Sequence, residues 1–140
     1  MRRIFVDSSY YIALIDPRDG NHARALATMA DLISAGVTSF VTSEPILFEV
    51  LADFARASAW YKTRAAVVIE GTRLDPMHQV FPITPGLLDR AIALYKSRAD
   101  QPYSLTDCAS MEICRDLKIT DVLTADTDFG NEGFAALLHD

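Results

Sequence analysis

The chain has 140 residues, of which 50% are hydrophobic and 23% are charged, and its formal net charge is −6. This composition indicates one globular domain, residues 1–140, and excludes a disordered chain. No apolar run reaches the roughly 18 residues that a membrane-spanning helix needs, so no membrane association is expected. The acidic balance argues against broad, non-specific binding of nucleic acid, because phosphates prefer basic proteins.

Short apolar segments alternate along the chain with segments of helical character. The predicted order is a strand at 3–6, helices at 8–15 and 22–35, a strand at 38–42, helices at 44–57 and 60–72, a strand at 79–83, helices at 85–98 and 105–117, and a strand at 121–124. Ser43, Thr84 and Ser104 precede three helices as N-caps, Asn21 caps the second helix, and Gly36 ends that helix. This alternation predicts an α/β fold with a parallel sheet.

Four acidic residues are expected at one edge of that sheet. Asp7 follows the first strand and Asp126 follows the fourth. Asp107 lies in the first turn of its helix, and Glu49 lies about 9 Å along the axis of another helix at 1.5 Å per residue. Ligands of open parallel sheets bind beyond the carboxyl ends of the strands, where the following helices also begin. The topology therefore predicts that the four carboxylates lie close together.

Each acid also has a purely structural explanation. Asp7 can cap the helix that follows it, and Asp126 can form an Asx turn. Asp107 can form a capping box with Ser104, and Glu49 can lie on an ordinary solvated helix face. Caps and turns, however, would place acids at both edges of the sheet rather than at one.

A cluster of carboxylates needs a neutralising partner. Carboxylates held together repel one another, which raises their pKa unless a cation is present. A set of oxygen ligands without cysteine or histidine suits Mg²⁺ or Mn²⁺. If four of the acids form such a site, the rest of the chain carries a formal charge of −2, so the net charge is only weak evidence against a nuclease.

Four segments, in order and spanning residues 4 to 129, resemble the signature segments of PIN domains, and in particular of VapC-type toxins of toxin–antitoxin pairs: Ile4–Ser9, Thr42–Leu51, Tyr103–Ser110 and Val122–Phe129. The resemblance implies a three-layer α/β/α sandwich with a mostly parallel central sheet. It implies a Mg²⁺- or Mn²⁺-dependent endoribonuclease that acts on RNA, with a cognate antitoxin and a homodimer as expected partners.

The resemblance also implies roles for particular residues. The catalytic and metal-binding quartet corresponds to Asp7, Glu49, Asp107 and Asp126. Asp128 matches a position that is often acidic and is expected to be an accessory metal ligand. Two further positions, Ser104 and Thr124, match polar residues that line the site in this family.

Two cysteines, Cys108 and Cys114, are six residues apart in one predicted helix. Their side chains point about 120° apart, which disfavours a disulfide and indicates a reducing, cytoplasmic setting. Cys108 stands beside Asp107, where alanine is commoner in the family, and is interpreted as a small buried hydrophobic residue. The alternative is a thiol that makes activity sensitive to oxidation.

Two groups of side chains outside the acids are candidates for binding. Phosphate contacts need cations outside an acidic pocket, and three lie in or near loops on the expected active edge: Arg18, Lys96 and Arg98. Ordinary solvated charge is the alternative for these three. Aromatic residues of the middle helices belong either to the core or to a surface for a second copy or an antitoxin: Phe54, Trp60 and Tyr61.

Three other functions remain open. Asp126-Thr127-Asp128 superficially resembles the motif of Mg²⁺-dependent aspartyl phosphatases, although that motif follows the first strand in the haloacid-dehalogenase-like family. A catalytically silent PIN domain that binds RNA or a partner is the second alternative, but such domains usually lack one of the acids. A pure interaction subunit is the third, and its carboxylates could be neutralised without effect on activity.

Overall fold

A parallel sheet forms the centre of the molecule in the computed structural model, which describes residues 2–139. Its five strands in the described residues are β1 Arg3–Val6, β2 Ser39–Ser43, β3 His78–Phe81, β4 Asp121–Leu123 and β5 Ala135–Ala136. The spatial order is β3–β2–β1–β4–β5, and every pairing is parallel. The predicted parallel sheet is therefore confirmed.

Helices occupy the connections between the strands: α1 Ser8–Ile15, α2 His22–Ser34, α3 Glu44–Asp53, α4 Ala59–Leu74, α5 Pro85–Ser97 and α6 Leu105–Leu117. A 3₁₀ helix, Thr127–Glu132, joins β4 to β5. Together they form the α/β/α sandwich. Ile4, Phe5 and Val6 of β1 are completely buried, because a central parallel strand is covered on both faces. No helix in residues 2–139 is both long enough and apolar enough to cross a membrane.

Local differences from the predicted elements have simple causes. The side chain of Asn21 does not cap α2, so this prediction is wrong; instead, the Asp19 carboxylate accepts the backbone N–H of Asn21 in a turn. The helix α3 ends at Asp53 rather than at about 57. The strand β5 and the 3₁₀ helix were not predicted, because a two-residue strand has no readable period. Gly36 follows α2 with a φ of 89°, as expected for a residue that ends a helix.

The two cysteines of α6 are both free and buried. Cys108 is 0% exposed, and burial raises the pKa of its thiol. It occupies the position that a small hydrophobic side chain would fill, in line with its interpretation as a core residue.

Candidate active site

The candidate site lies where the direction of the sheet changes. From β1 the chain moves to β2 and then β3 on one side, and it later returns to place β4 on the other side of β1. In such sheets the crevice beyond the carboxyl ends of the two strands at the switch is the usual ligand site. Asp7 directly follows β1 and Thr124 directly follows β4, and the backbone N–H of Asp7 bonds to the Leu123 carbonyl.

Asp7 is a buried carboxylate with one oxygen that has no partner. Asp7 as a whole is 3% exposed. Its Oδ2 accepts a hydrogen bond of 2.7 Å from the Thr124 hydroxyl, whereas Oδ1 is buried without a hydrogen-bond partner. The side chain does not cap α1, so the structural explanation considered for this acid does not apply. An unpaired buried carboxylate oxygen is costly and marks a place where a cation or a proton would be stabilised.

Burial dominates the electrostatics of Asp7. The pKa of its carboxyl group is raised to about 7, chiefly by loss of hydration and in smaller part by the charges of Asp107 and Glu49. The Thr124 hydrogen bond acts in the opposite direction but is outweighed. Two of the three other acids that the sequence predicted beside Asp7, Asp107 and Glu49, therefore act on its ionisation.

Asp107 both caps α6 and lies close to other acids, as its position in the sequence suggested. Its N–H bonds to the Ser104 hydroxyl at 3.0 Å, and its Oδ2 accepts the Ser104 N–H at 2.9 Å, which completes a capping box at the start of α6. Burial raises its pKa, and the charges of Asp126 and Glu49 raise it further. The cap fixes the direction of the carboxylate and engages only one of its oxygens in these bonds, so capping does not exclude a second role.

Thr124 connects the carboxylate of Asp7 to the backbone of Asp126. It is 0% exposed; its hydroxyl donates to Asp7 and accepts the Asp126 N–H at 3.0 Å. Ser9 lies 3.2 Å from the same hydroxyl and accepts the backbone N–H of residue 125 at 3.0 Å. Because the Thr124 proton is directed to Asp7, the Ser9 hydroxyl donates to Thr124. This network fixes the backbone at the start of the loop that carries Asp126.

The loop after β4 carries the remaining two predicted acids. The Asp126 carboxylate accepts the Asp128 N–H at 2.8 Å, which is the Asx-type contact that begins the 3₁₀ helix. Burial raises the pKa of Asp128, and the neighbouring Asp126 raises it further. Asp128 therefore adds negative charge to the same edge, although its contacts assign it no separate role.

Glu49 reaches the site through a contact between α1 and α3. It is half-buried, and its Oε1 accepts a short hydrogen bond from the Ser8 hydroxyl. Sequence reasoning gave no role to Ser8 or Ser9, although both directly follow Asp7. Serines after a strand-ending acid are a weak signal, because hydroxyls are equally common in helix first turns.

The carboxylate oxygens of the site suit a divalent cation that keeps several of its waters, rather than one bound entirely by protein ligands. Within residues 2–139, no three Asp, Glu, His or Cys side chains are arranged to hold one ion as they stand. Mg²⁺ usually keeps several waters and binds through one or two carboxylates. The unpartnered Oδ1 of Asp7 and the mutual repulsion of the acids favour such an ion at this edge.

The predicted phosphate-binding cations differ in their surroundings. Arg18 is paired with Asp16 at 3.0 Å and lies over the ring of Tyr61. Arg98 is paired with Glu132 at 3.0 Å. Lys96 is exposed and has no ion pair among the described residues. Lys96 is therefore the candidate of the three whose charge is not offset by a carboxylate.

The aromatic residues of α3 and α4 divide between core and surface. Phe54 is 4% exposed and stacks with Tyr61 at a centroid distance of 6.4 Å. Trp60 is 63% exposed. Phe54 is thus a core residue, and Trp60 is the member of this group available to a partner.

A buried ion-pair cluster that the sequence did not predict supports the site. The side chain of Glu132 is only 7% exposed and accepts hydrogen bonds from Arg98, Arg115 and Tyr103. These partners, Arg98 first, hold the pKa of Glu132 below its usual value. Glu132 ends the 3₁₀ helix that begins after Asp126, so the cluster ties that segment to both ends of the α5–α6 loop.

Comparisons with known proteins identify the family of the chain. The PIN domain family matches residues 4–134, and the chain therefore belongs to the PIN domain family. It is 28% identical over 131 residues to the 23S rRNA-specific endonuclease VapC20 of Mycobacterium tuberculosis, covering 94% of this chain and 95% of that protein.

Two solved structures share the fold. The crystal structure of VapC20 from Mycobacterium tuberculosis, described as a sarcin–ricin loop cleaving toxin, has a TM-score of 0.81 and 27% identity over 94% of this chain and 96% of that one. The crystal structure of FitAcB from Neisseria gonorrhoeae has a TM-score of 0.67 and 16% identity, covering 95% of each chain. The second likeness shows the fold alone.

Proposed function

We propose that this chain is a divalent-metal-dependent endoribonuclease that hydrolyses RNA phosphodiester bonds as the toxin of a toxin–antitoxin pair. The observation that carries the proposal is the buried Asp7 carboxylate, with its unpartnered oxygen and its raised pKa, at the switch point of a PIN-type sheet. The relationship to VapC20, named as an RNA endonuclease, supports the reaction class.

The roles of the carboxylates follow from their surroundings. Asp7, Asp107 and Asp126 would hold Mg²⁺ or Mn²⁺, with Glu49 supporting directly or through water and Asp128 as an accessory ligand. When bound, the cation supplies Lewis acidity, which favours ionisation of water and offsets charge on the phosphate.

The chain's hydroxyl groups keep these carboxylates in place. Thr124 orients Asp7 and the backbone of Asp126, Ser104 orients Asp107, and Ser8 orients Glu49. Groups held in advance of substrate binding need little reorganisation during the reaction. Within residues 2–139 no histidine is hydrogen-bonded to these carboxylates, and we assign the role of proton acceptor to the carboxylates.

Exposed apolar side chains support the expected protein partners. Phe48 is 77% exposed and, with Leu51, lines an apolar groove of about 620 Å³ between α3 and α4. Large exposed apolar patches mark interaction surfaces. An antitoxin and a second copy of the chain are the partners that we expect, and a cytoplasmic location is part of the proposal. The molar mass of the purified protein by light scattering tests the homodimer.

The experiment that tests the activity uses RNA and matched variants. Purified protein is incubated with a mixed RNA pool and with a sarcin–ricin loop RNA, in Mg²⁺, in Mn²⁺ and in EDTA. Asp107→Asn is compared with Asp116→Asn, which changes an exposed acid of the same helix. We expect cleavage that EDTA and Asp107→Asn reduce by at least about 100-fold, in line with losses of about 2.7 kcal/mol or more for groups that stabilise the transition state.

The outcomes separate the alternatives. Asp116→Asn is expected to cleave like the unaltered protein, because it leaves the site untouched. A folded, partner-free protein that binds RNA without cleaving it in either metal would establish the silent PIN domain instead. Cleavage that persists in EDTA or in Asp107→Asn would contradict the assigned site.

A further inference from the structure

A long groove runs from the C-terminal half of α5 to the start of α6. It has a volume of about 1130 Å³ and is lined along the α5–α6 loop by residues that include Ile92, Tyr95, Lys96, Gln101 and Ser104. Pockets for small molecules commonly measure about 300–1,000 Å³. The space therefore suits part of a polymer better than a single small ligand.

This α5–α6 groove ends at the candidate active site. Ser104 lines the groove and donates its backbone N–H to the carboxylate of Asp107. A chain lying in the groove would pass directly from Ser104 to the acids at the sheet edge. The groove therefore adjoins Asp107 through Ser104.

The exposed side chains of the groove have the chemistry of single-stranded RNA recognition. Tyr95 is 51% exposed, and within residues 2–139 its ring stacks on no other ring. Lys96 is exposed next to it and has no ion pair in the described chain. Aromatic rings stack on unpaired bases, and cations contact the phosphates that join them. Gln101 adds an amide that can hydrogen-bond to a base edge.

The wall of the groove is held rigid by the Glu132 cluster. Arg98 lines the groove, but its guanidinium forms two hydrogen bonds with Glu132, and Tyr103 donates to the same carboxylate. The charges of Arg98 and Glu132 offset each other, so Lys96 is the lining cation without an ion pair in the described chain. Asp100 lies in the same loop and its charge acts on Arg98, although it does not line the groove.

We propose that the α5–α6 groove binds the single-stranded nucleotides next to the scissile phosphate, with one base stacked on Tyr95 and one phosphate on Lys96. The inference rests on the proposed ribonuclease function and deepens it, because it assigns substrate-positioning residues outside the acidic quartet. An RNA occupant fits the groove better than a protein segment, because its cation and its ring lie together beside a phosphodiesterase site.

Binding measurements test the two contacts separately. A fluorescein-labelled 12-nucleotide single-stranded RNA of mixed sequence is titrated in EDTA and followed by fluorescence anisotropy. Tyr95→Ala is expected to weaken binding by about 5- to 100-fold, the range for loss of one base–aromatic stack, whereas Tyr95→Phe keeps the ring and the affinity. Lys96→Gln should lower the salt slope of log K by about 0.7, whereas Lys62→Gln, an exposed lysine of α4, should not.

Cleavage kinetics connect the groove to the reaction. Tyr95→Ala and Lys96→Gln should raise KM with little change in kcat, since they remove binding rather than chemistry. Both residues are exposed, and an unchanged thermal transition confirms that the variants fold. Light scattering on the same variants reports whether they alter the oligomeric state.

Each remaining outcome overturns a defined part of the argument. If the unaltered protein cleaves RNA in a metal-dependent manner and both variants bind and cleave equally well, the groove proposal is wrong while the nuclease proposal stands. If the unaltered protein neither binds nor cleaves RNA, both fall together. If Tyr95→Ala changes the oligomeric state and leaves RNA affinity intact, the groove is an interface between copies of the chain.

Discussion

Replacement of Asp7 by asparagine should change how the stability of the protein depends on pH. Burial raises the pKa of Asp7 from 3.8 to about 7, so the folded state keeps the proton over a range in which the unfolded state has lost it. Between these two values the folded state binds more protons, and its stability falls as pH rises. The stability that the raised pKa of Asp7 contributes is fully present below pH 3.8 and is lost once pH has passed about 7.

The size of the effect follows from the shift. A difference of about three pKa units corresponds to about 4 kcal/mol at 1.36 kcal/mol per unit. Asparagine has no titration in this range, so the unfolding free energy of Asp7→Asn minus that of the unaltered protein should rise by about 4 kcal/mol from pH 4 to pH 8. The unsatisfied amide that asparagine places near the Oδ1 position adds an offset that does not depend on pH.

Urea denaturation in EDTA, followed by circular dichroism at five pH values between 4 and 8, measures this difference. Asp31→Asn, which changes an exposed acid of α2, is the matched control and should show no comparable slope. Addition of Mg²⁺ at pH 8 should stabilise the unaltered protein but not Asp7→Asn, because a ligand of the folded state adds to its stability. If the free-energy difference is constant across this pH range, the pKa of Asp7 is not raised by burial and the reasoning is wrong.

Two further substitutions test the groups that support the site. Thr124→Val removes a hydroxyl that bonds to Asp7 and to a backbone N–H; it should cost about 2–3 kcal/mol in unfolding experiments, whereas Thr124→Ser keeps the hydroxyl and should cost about 1 kcal/mol. Glu132→Gln should destabilise by about 1–3 kcal/mol at pH 7, less than a fully buried pair because its arginine partners are partly exposed. Because the folded-state pKa of Glu132 is lowered, this contribution is present above pH 4.5 and should disappear as pH falls through the lowered value. Glu112→Gln, which breaks a helix-surface pair with one of the same arginines, should cost less than about 1 kcal/mol, and an equal cost for both variants would contradict the argument.

The elements around the site could be predicted because their sequence signals are local. A three-residue apolar run ending in Asp7 can form only a short strand, and Ser104 with Asp107 has the spacing of a capping box. Strand alternation then assigned Asp7, Asp107 and Asp126 to one edge by topology alone, with Glu49 within reach of it. The structure brings Asp7, Glu49 and Asp107 into one electrostatic neighbourhood, while their roles as metal ligands stay a prediction.

The parts that could not be predicted depend on contacts between distant segments. Ser8 meets Glu49 only because α1 packs against α3, across 41 residues of sequence. Glu132 lies in a segment without a regular hydrophobic period, and its partner Arg98 is 34 residues away. For the same reason Arg98 looked available for phosphate binding in the sequence. No local pattern in the sequence shows that the guanidinium of Arg98 is paired with a carboxylate so far along the chain.

An acidic chain can still bind RNA when its negative charges and its unpaired cation lie in different parts of the molecule. The carboxylates lie beyond β1 and β4, where burial of Asp7 makes its ionised form unfavourable in the absence of a cation. In the proposed enzyme the same burial favours binding of a divalent ion, because the ion relieves a cost that the folded protein already carries. RNA then contacts the neutralised site and the lysine of the α5–α6 groove rather than an acidic surface. A protein with a net charge of −6 would therefore bind RNA more tightly when it is loaded with metal, which suits a nuclease that must not bind every RNA in the cell.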